Sequence, residues 1–358
     1  MSNSALLDKM DGYTRTFVVH SNASPNAAAA AMGAAMGRSE RIGTYFNLLR
    51  KPRSGVQARA AAAAGCDLSL SEVSVDFIGD WSAFLRQKGM PTCGLAYVQS
   101  RTLEDNTMRY LNAHRRIPIT APRTVHESRE LSIPQEHKAG YEALKALIKS
   151  GGDLRPYLSR DILKKKRPDK NDRLLNSWGI QHLHFRPLPA KGALHILLCR
   201  ITDADVFVIQ ALPHGHDHDA WVVDRLLLQI LHDNWPEEIT ADKCHGIRDD
   251  AAPSRERLAL RNKNANFATT MTDGAVYLAP GGGLMASGDC FEDRSNCDKI
   301  FAELAYWQDV VKSNAAHFRA ALNWPPSKEL SIRIMFEDRD CWFCEPTTGR
   351  AISLTIER

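Results

Sequence analysis

Three histidines and two aspartates occupy six consecutive positions, His214-Gly215-His216-Asp217-His218-Asp219, between an apolar run that reads as a strand and another that reads as a helix. Eight of the chain's thirteen histidines fall between residues 182 and 245. Imidazole titrates near neutrality, and its neutral ring is a common metal ligand, so the cluster points to proton transfer or to a metal. In the first chemistry His182, His184, His214 and His216 work as general acids and bases on an RNA phosphodiester. One takes the proton of the attacking 2′-hydroxyl and another protonates the departing 5′-oxygen. Arg186 and Arg200 hold the phosphate oxygens, and no cofactor is required. In the second, His214, His216 and His218 bind zinc, with His182 or His184 completing the set. The familiar His-x-His-x-Asp-His hydrolase motif is not matched, because aspartate stands at 217 and histidine at 218. A plainer alternative stays open, in which Asp219 caps the following helix and the histidines are surface polar residues. The loop directly precedes that helix, so backbone N–H groups and the positive dipole end favour a bound anion there.

Two other groups of residues carry possible chemistry. Cys290, Cys297, Cys341 and Cys344 form a candidate four-thiolate zinc site, although the 290–297 spacing is looser than a zinc knuckle; buried free thiols are the alternative. Residues 155 to 173 hold eight Lys/Arg against three Asp. Lys164, Lys165, Lys166 and Arg167 at its centre make either a polyanion-docking patch or a solvated face. The triple glycine of "APGGGL" lacks the Lys-Ser/Thr of a P-loop and reads as a hairpin turn.

The elements around these residues indicate an α+β fold, an antiparallel sheet flanked by amphipathic helices. "GIQHLHF" has strand character, and "ALHILLCRIT" and "DVFVIQAL" read as two central antiparallel strands joined by a tight turn at 202–205. Apolar residues at 222, 223, 226, 227, 230 and 231 predict a helix that stops near Asn234, before Pro236. Upstream, "PQEHKAGYEALKALIKSGG" predicts a helix with a glycine stop. "VSVDFIGDWSAFLRQKG" predicts another, "CGLAYVQS" a strand, and "RRIPITAPRTV" a linker. "GIRDDAAPSRERLALRNKNANF" reads as a polar connection. After it come a hairpin, a helix or helix pair from Cys297, and a closing hairpin. Four regions follow: an Ala/Gly-rich, poorly packed leader over 1–70, a small α/β segment and linker over 71–130, a His-rich core over 131–250, and a C-terminal α+β region over 251–358.

Residues 194 to 231, "LHILLCRITDADVFVIQALPHGHDHDAWVVDRLLLQIL", resemble the heart of RelE/HigB-type toxins, in which antiparallel strands carry an arginine and end in histidine before a polar stretch. The resemblance covers roughly a tenth of the chain. It implies a bacterial or phage ribonuclease that needs no metal, with Arg200 on the phosphate, His214 as an acid/base candidate, and a cognate inhibitor protein as a partner.

Composition sets the outer bounds. A chain of 358 residues with 44% hydrophobic content can bury a sizeable core. A net charge of +4 permits RNA or another polyanion as partner without demanding one. Eight scattered cysteines, a start without a signal-peptide pattern and no long apolar segment lead to the expectation of a cytoplasmic protein with no membrane association. A non-catalytic nucleic-acid- or protein-binding role in a mobile element is the remaining expectation.

Overall fold

The computed structural model describes residues 16–22, 73–159, 172–187, 194–213, 225–247, 254–337 and 340–357. The chain divides into two compact units. One runs from Leu85 to Cys297; the other joins the part of the chain up to Phe84 with the part from Asp298 onwards. The α+β expectation holds, with parallel pairing at one edge of each larger sheet.

The Leu85–Cys297 unit is built on four strands, β3 (Thr124–Glu127), β4 (Ile180–Leu183), β5 (His195–Ile201) and β6 (Asp205–Pro213), in the order β3-β6-β5-β4. β4 and β6 flank β5 in antiparallel register, and β3 adds to β6 in parallel. The β5–β6 turn is tight because Thr202 closes it twice: its amide donates to the Asp205 carbonyl, and its hydroxyl accepts from the Asp205 amide.

Both strands are apolar on both faces because both faces are covered. On one side Leu183, Leu197, Val206 and Val208 pack against Tyr141, Leu144 and Ile148. Those three come from helix α3 (Lys138–Ser150), which stops at Gly151 in the left-handed region, φ +76°. On the other side Ile180, Leu198 and Ile209 meet Leu227, Leu228, Ile230 and Leu231 from helix α5 (Leu226–Asn234), and Trp178 from helix α4 (Arg173–Trp178). Each buried Leu or Ile contributes about 1.5–3 kcal/mol. The helix expected after the histidine-rich loop is described from Leu226, with Arg225 before it; Asp219, the alternative cap, lies outside the described residues. Leu226 points outwards, and the inward face is carried by 227, 228, 230 and 231.

A second, three-stranded sheet of this unit joins β7 (Lys243–Cys244), β8 (Ala268–Thr270) and β9 (Val276–Leu278). Three local expectations fail. "CGLAYVQS" is not a strand, because side chains of helix α2 (Leu103–Arg116) take up its backbone polar groups. Asn106 bonds both the amide and the carbonyl of Val98, and Arg109 donates to the Ala96 carbonyl. The "polar connection" contains helix α6 (Ser254–Asn262), whose inward residues include the buried Arg257 and Arg261. Part of the proposed linker is strand β3.

In the other unit a five-stranded sheet has the order β1-β12-β11-β10-β2, from β1 (Thr16–Asn22), β2 (Val73–Val75), β10 (Leu330–Glu337), β11 (Asp340–Glu345) and β12 (Arg350–Glu357). Residues 16–22 of the supposed leader are therefore an edge strand paired along their length with β12. The alanine-rich tracts lie outside the described residues. Helix α1 (Phe77–Phe84) sets Phe77 and Trp81 against Phe343 and Phe336. Its buried Asp80 pairs with Arg333 and accepts the Ile334 amide. No helix among the described residues is long and apolar enough to cross a membrane.

Candidate functional site

Among the described residues, ligand-type side chains converge at one place: Glu136, His137 and His195, with one donor atom from each, all within 4.8 Å of one another. A single 3-10 turn, Gln135–His137, carries the first two into helix α3. Pro134 starts that turn by fixing its own φ, and His137 ends it at the N-cap of α3. His195 opens β5 opposite Pro213 of β6. The His137 ring lies flat on Phe185, two residues beyond β4, with centroids 4.6 Å apart and planes within 5°. It meets His195 edge-on at 5.2 Å.

His137 Nε2 and His195 Nδ1 are 3.2 Å apart, so one ring donates to the other according to tautomer. The Glu136 carboxylate stands 3.8 Å from His195 and 4.0 Å from His137. The group grades from the interior to the surface, since the side chains of His137, His195 and Glu136 are 9%, 23% and 55% exposed. Burial holds His137 below the usual histidine range, against the pull of Glu136, and the charges of His195 and Arg186 lower it further. A neutral imidazole at neutral pH is the form that ligates metals.

The spacing suits a transition metal. Two nitrogens at Zn–N distances of 2.0–2.1 Å on a tetrahedron lie about 3.3 Å apart, close to the observed 3.2 Å. The carboxylate would have to move in by roughly half an ångström to complete the edge, and Glu136 is the most exposed and adjustable of the three. As ligands, these three side chains would leave a fourth position for water, the pattern of a catalytic rather than a structural site.

The residues expected from the sequence are placed as follows. β4 and β5 are neighbours, and His182 and His184 stand side by side with ring centroids 6.0 Å apart. Arg186 is exposed and close enough to His137 to act on its charge. Arg200 does not join the group. It lies five residues along β5 from His195, roughly 17 Å at strand rise, donates to the Pro280 carbonyl and sits near Glu238 and Asp242. His214, His216 and His218 lie outside the described residues, as do Lys164, Lys165, Lys166 and Arg167.

The metal-type group found among the described residues includes none of the four cysteines. β11 sends Cys341 and Cys344, three positions apart, to opposite faces. Cys290 and Cys297 are buried and belong to the other compact unit. Burial raises the Cys290 thiol and pushes Cys344 up to about 11, so both stay protonated. The triple glycine is no phosphate cradle either: Gly281 and Gly283 donate their amides to the Ser177 and Asn176 carbonyls of α4.

Sequence reasoning missed Glu136 and His137, and it read His195 only as a strand residue. The two histidines are 58 positions apart, and Glu136-His137 looks like an ordinary helix start. Compared with protein-family models, with curated proteins and with solved structures, the chain has no match, and nothing in those comparisons bears on the resemblance to RelE/HigB-type toxins.

Proposed function

We propose that this chain is a metal-dependent hydrolase of anionic esters, RNA phosphodiesters being the first substrate class to test, with a zinc-type ion held by Glu136, His137 and His195. The observation that carries this reading is the 3.2 Å approach of two imidazole nitrogens with a carboxylate within 4.0 Å of both. A metal there would lower the pKa of a bound water to near 7 and make it a nucleophile. The anionic preference rests on Arg186 beside His137, on the exposed Lys138 next in sequence, and on the basic run 155–173.

Elemental analysis of purified protein tests it. Wild type should hold zinc, or a metal of its class, near one equivalent. His137→Ala and His195→Ala should lose most of it, together with any RNA cleavage. Cleavage by metal-free protein that falls in a His182→Ala/His214→Ala double variant would overturn this reading in favour of metal-independent histidine acid–base catalysis. Metal content and RNA unaffected by any of these changes would leave a binding role.

A further inference from the structure

A cavity of about 290 Å³ lies within the Leu85–Cys297 unit, away from the histidine cluster in sequence and built from other elements. One wall is a stripe on and just before helix α2: Arg101, Asp105, Arg109 and Asn112. The spacing of 105, 109 and 112 puts those three on one helix face, and Arg101 stands just before the N-cap. The facing wall is the turn before helix α7 (Phe291–Ser313) and the first turn of that helix, with Ser287, Asp289, Cys290, Asp293 and Arg294. Arg109, Asn112, Cys290 and Asp293 are buried and form the interior of the cavity; Arg101, Asp105 and Ser287 are exposed at its mouth.

The walls are held rigidly, as a binding site requires. Asp293 takes the Arg115 Nε through both carboxylate oxygens, at 2.9 and 3.2 Å. Arg109 donates through Nη1 to the Ala96 carbonyl at 3.1 Å and to Asn106 Oδ1 at 3.2 Å. Arg294 reaches Glu104 at 3.6 Å. Asp289 accepts the Ser287 hydroxyl at 2.8 Å, which orients its carboxylate.

Both signs of charge therefore line one small space, three guanidinium groups against three carboxylates. A bare anion such as phosphate would meet Asp289 and Asp105, and a bare cation would meet Arg109 and Arg101; each carries a like-charge penalty. A molecule with both charges meets neither penalty. Water occupies about 30 Å³ per molecule, so the volume matches a ligand of roughly ten heavy atoms. We infer that this cavity binds a free α-amino acid, its carboxylate towards Arg109 and its ammonium towards Asp289. Met108 and Met285 supply the adaptable apolar lining for its side chain.

Calorimetric titration of the full chain with each of the twenty free amino acids, and with inorganic phosphate, tests the inference. At least one amino acid should bind saturably and phosphate should not. Asp289→Asn, at a half-buried position outside the buried ion pairs, should weaken binding at least tenfold, and Arg109→Met more. Retained secondary structure by circular dichroism is required of both variants, and Asp289→Asn decides the matter if Arg109→Met fails to fold. Phosphate binding that ignores Asp289→Asn would make this an anion site, and no amino-acid binding by wild type would remove the ligand class altogether.

Discussion

Single residues decide how the candidate centre and the sheet margins behave. His137 and His195 meet without any spacing rule linking them, because the contact is made by the fold and not by a local turn. The histidine density between 182 and 245 pointed to His182, His184 and the 214–218 loop, and of that region His195 is the described member of the metal-type group. Periodicity says which face a strand residue takes, not which distant helix start will cover it. Glu345 shows the same residue-scale logic in the other unit. It is fully buried at the end of β11, which by itself would raise its carboxyl; hydrogen bonds from the amides and hydroxyls of Thr347 and Thr348 outweigh that and hold it below the usual glutamate range. A depressed carboxyl stabilises the folded state above the unfolded glutamate pKa of about 4.3, and the contribution is lost as pH falls through the folded value. Urea midpoints measured from pH 6 down to 3 should fall less steeply in Glu345→Gln than in wild type, and the variant should be the less stable of the two at pH 6.

At the scale of elements, what was legible followed from strong patterns. The paired strands β5 and β6, their four-residue turn, the Gly-stopped helix α3 and the end of α5 at Asn234 were all readable, since unbroken apolar runs and punctuating Gly or Pro are what sheets and helix ends require. Helix α6 was not readable because buried arginines sit where apolar residues are expected. Arg257 bonds Thr269 and lies over the Phe267 ring, and Arg261 bonds Ser177. "CGLAYVQS" has strand composition, but Asn106 and Arg109 bind its backbone, so composition misled. The glycine-rich segment yields a prediction at this scale. A Cβ on Gly281 would stand 2.0 Å from the Leu175 carbonyl oxygen and 2.3 Å from the Gly179 nitrogen, contacts that only displacement of α4 relieves. Gly281→Ala should therefore cost about 1–3 kcal/mol or more. Gly246→Ala, where φ is +74° but the surroundings are open, should cost less. Paired urea titrations compare the two, and equal losses would mean the α4 packing is not what Gly281 protects.

For the whole molecule, the division into two units was not visible in the sequence, because one of them is assembled from both ends of the chain. Regional composition registers neighbours in sequence, whereas β2 pairs with β10 and β1 with β12 across more than two hundred residues. The core expected at 131–250 falls wholly inside the Leu85–Cys297 unit, and the region 251–358 is shared between the two. Chains of more than one compact unit commonly depart from two-state unfolding. Scanning calorimetry should show two overlapping transitions, of which zinc shifts one. At a thousandfold excess over the dissociation constant the binding unit gains about 4 kcal/mol. The transition that moves should be the one altered by His195→Ala. Equal movement of both would mean that the units unfold together.

Gly140 lies one turn into helix α3, three residues after His137, and a Cβ there would come within 2.5 Å of the Phe185 carbonyl oxygen. The helix can approach the end of β4 that closely only because this residue has no side chain. That backbone contact sets how near the start of α3, and with it His137, comes to Phe185. A methyl group at 140 would act as a spacer, lifting the helix start and His137 with it. Gly140→Ala should then shift preference from zinc towards larger ions such as cadmium, and lower the melting temperature with it, because the opposing atom is backbone. The discrimination between ions would reside in a missing side chain that touches none of them.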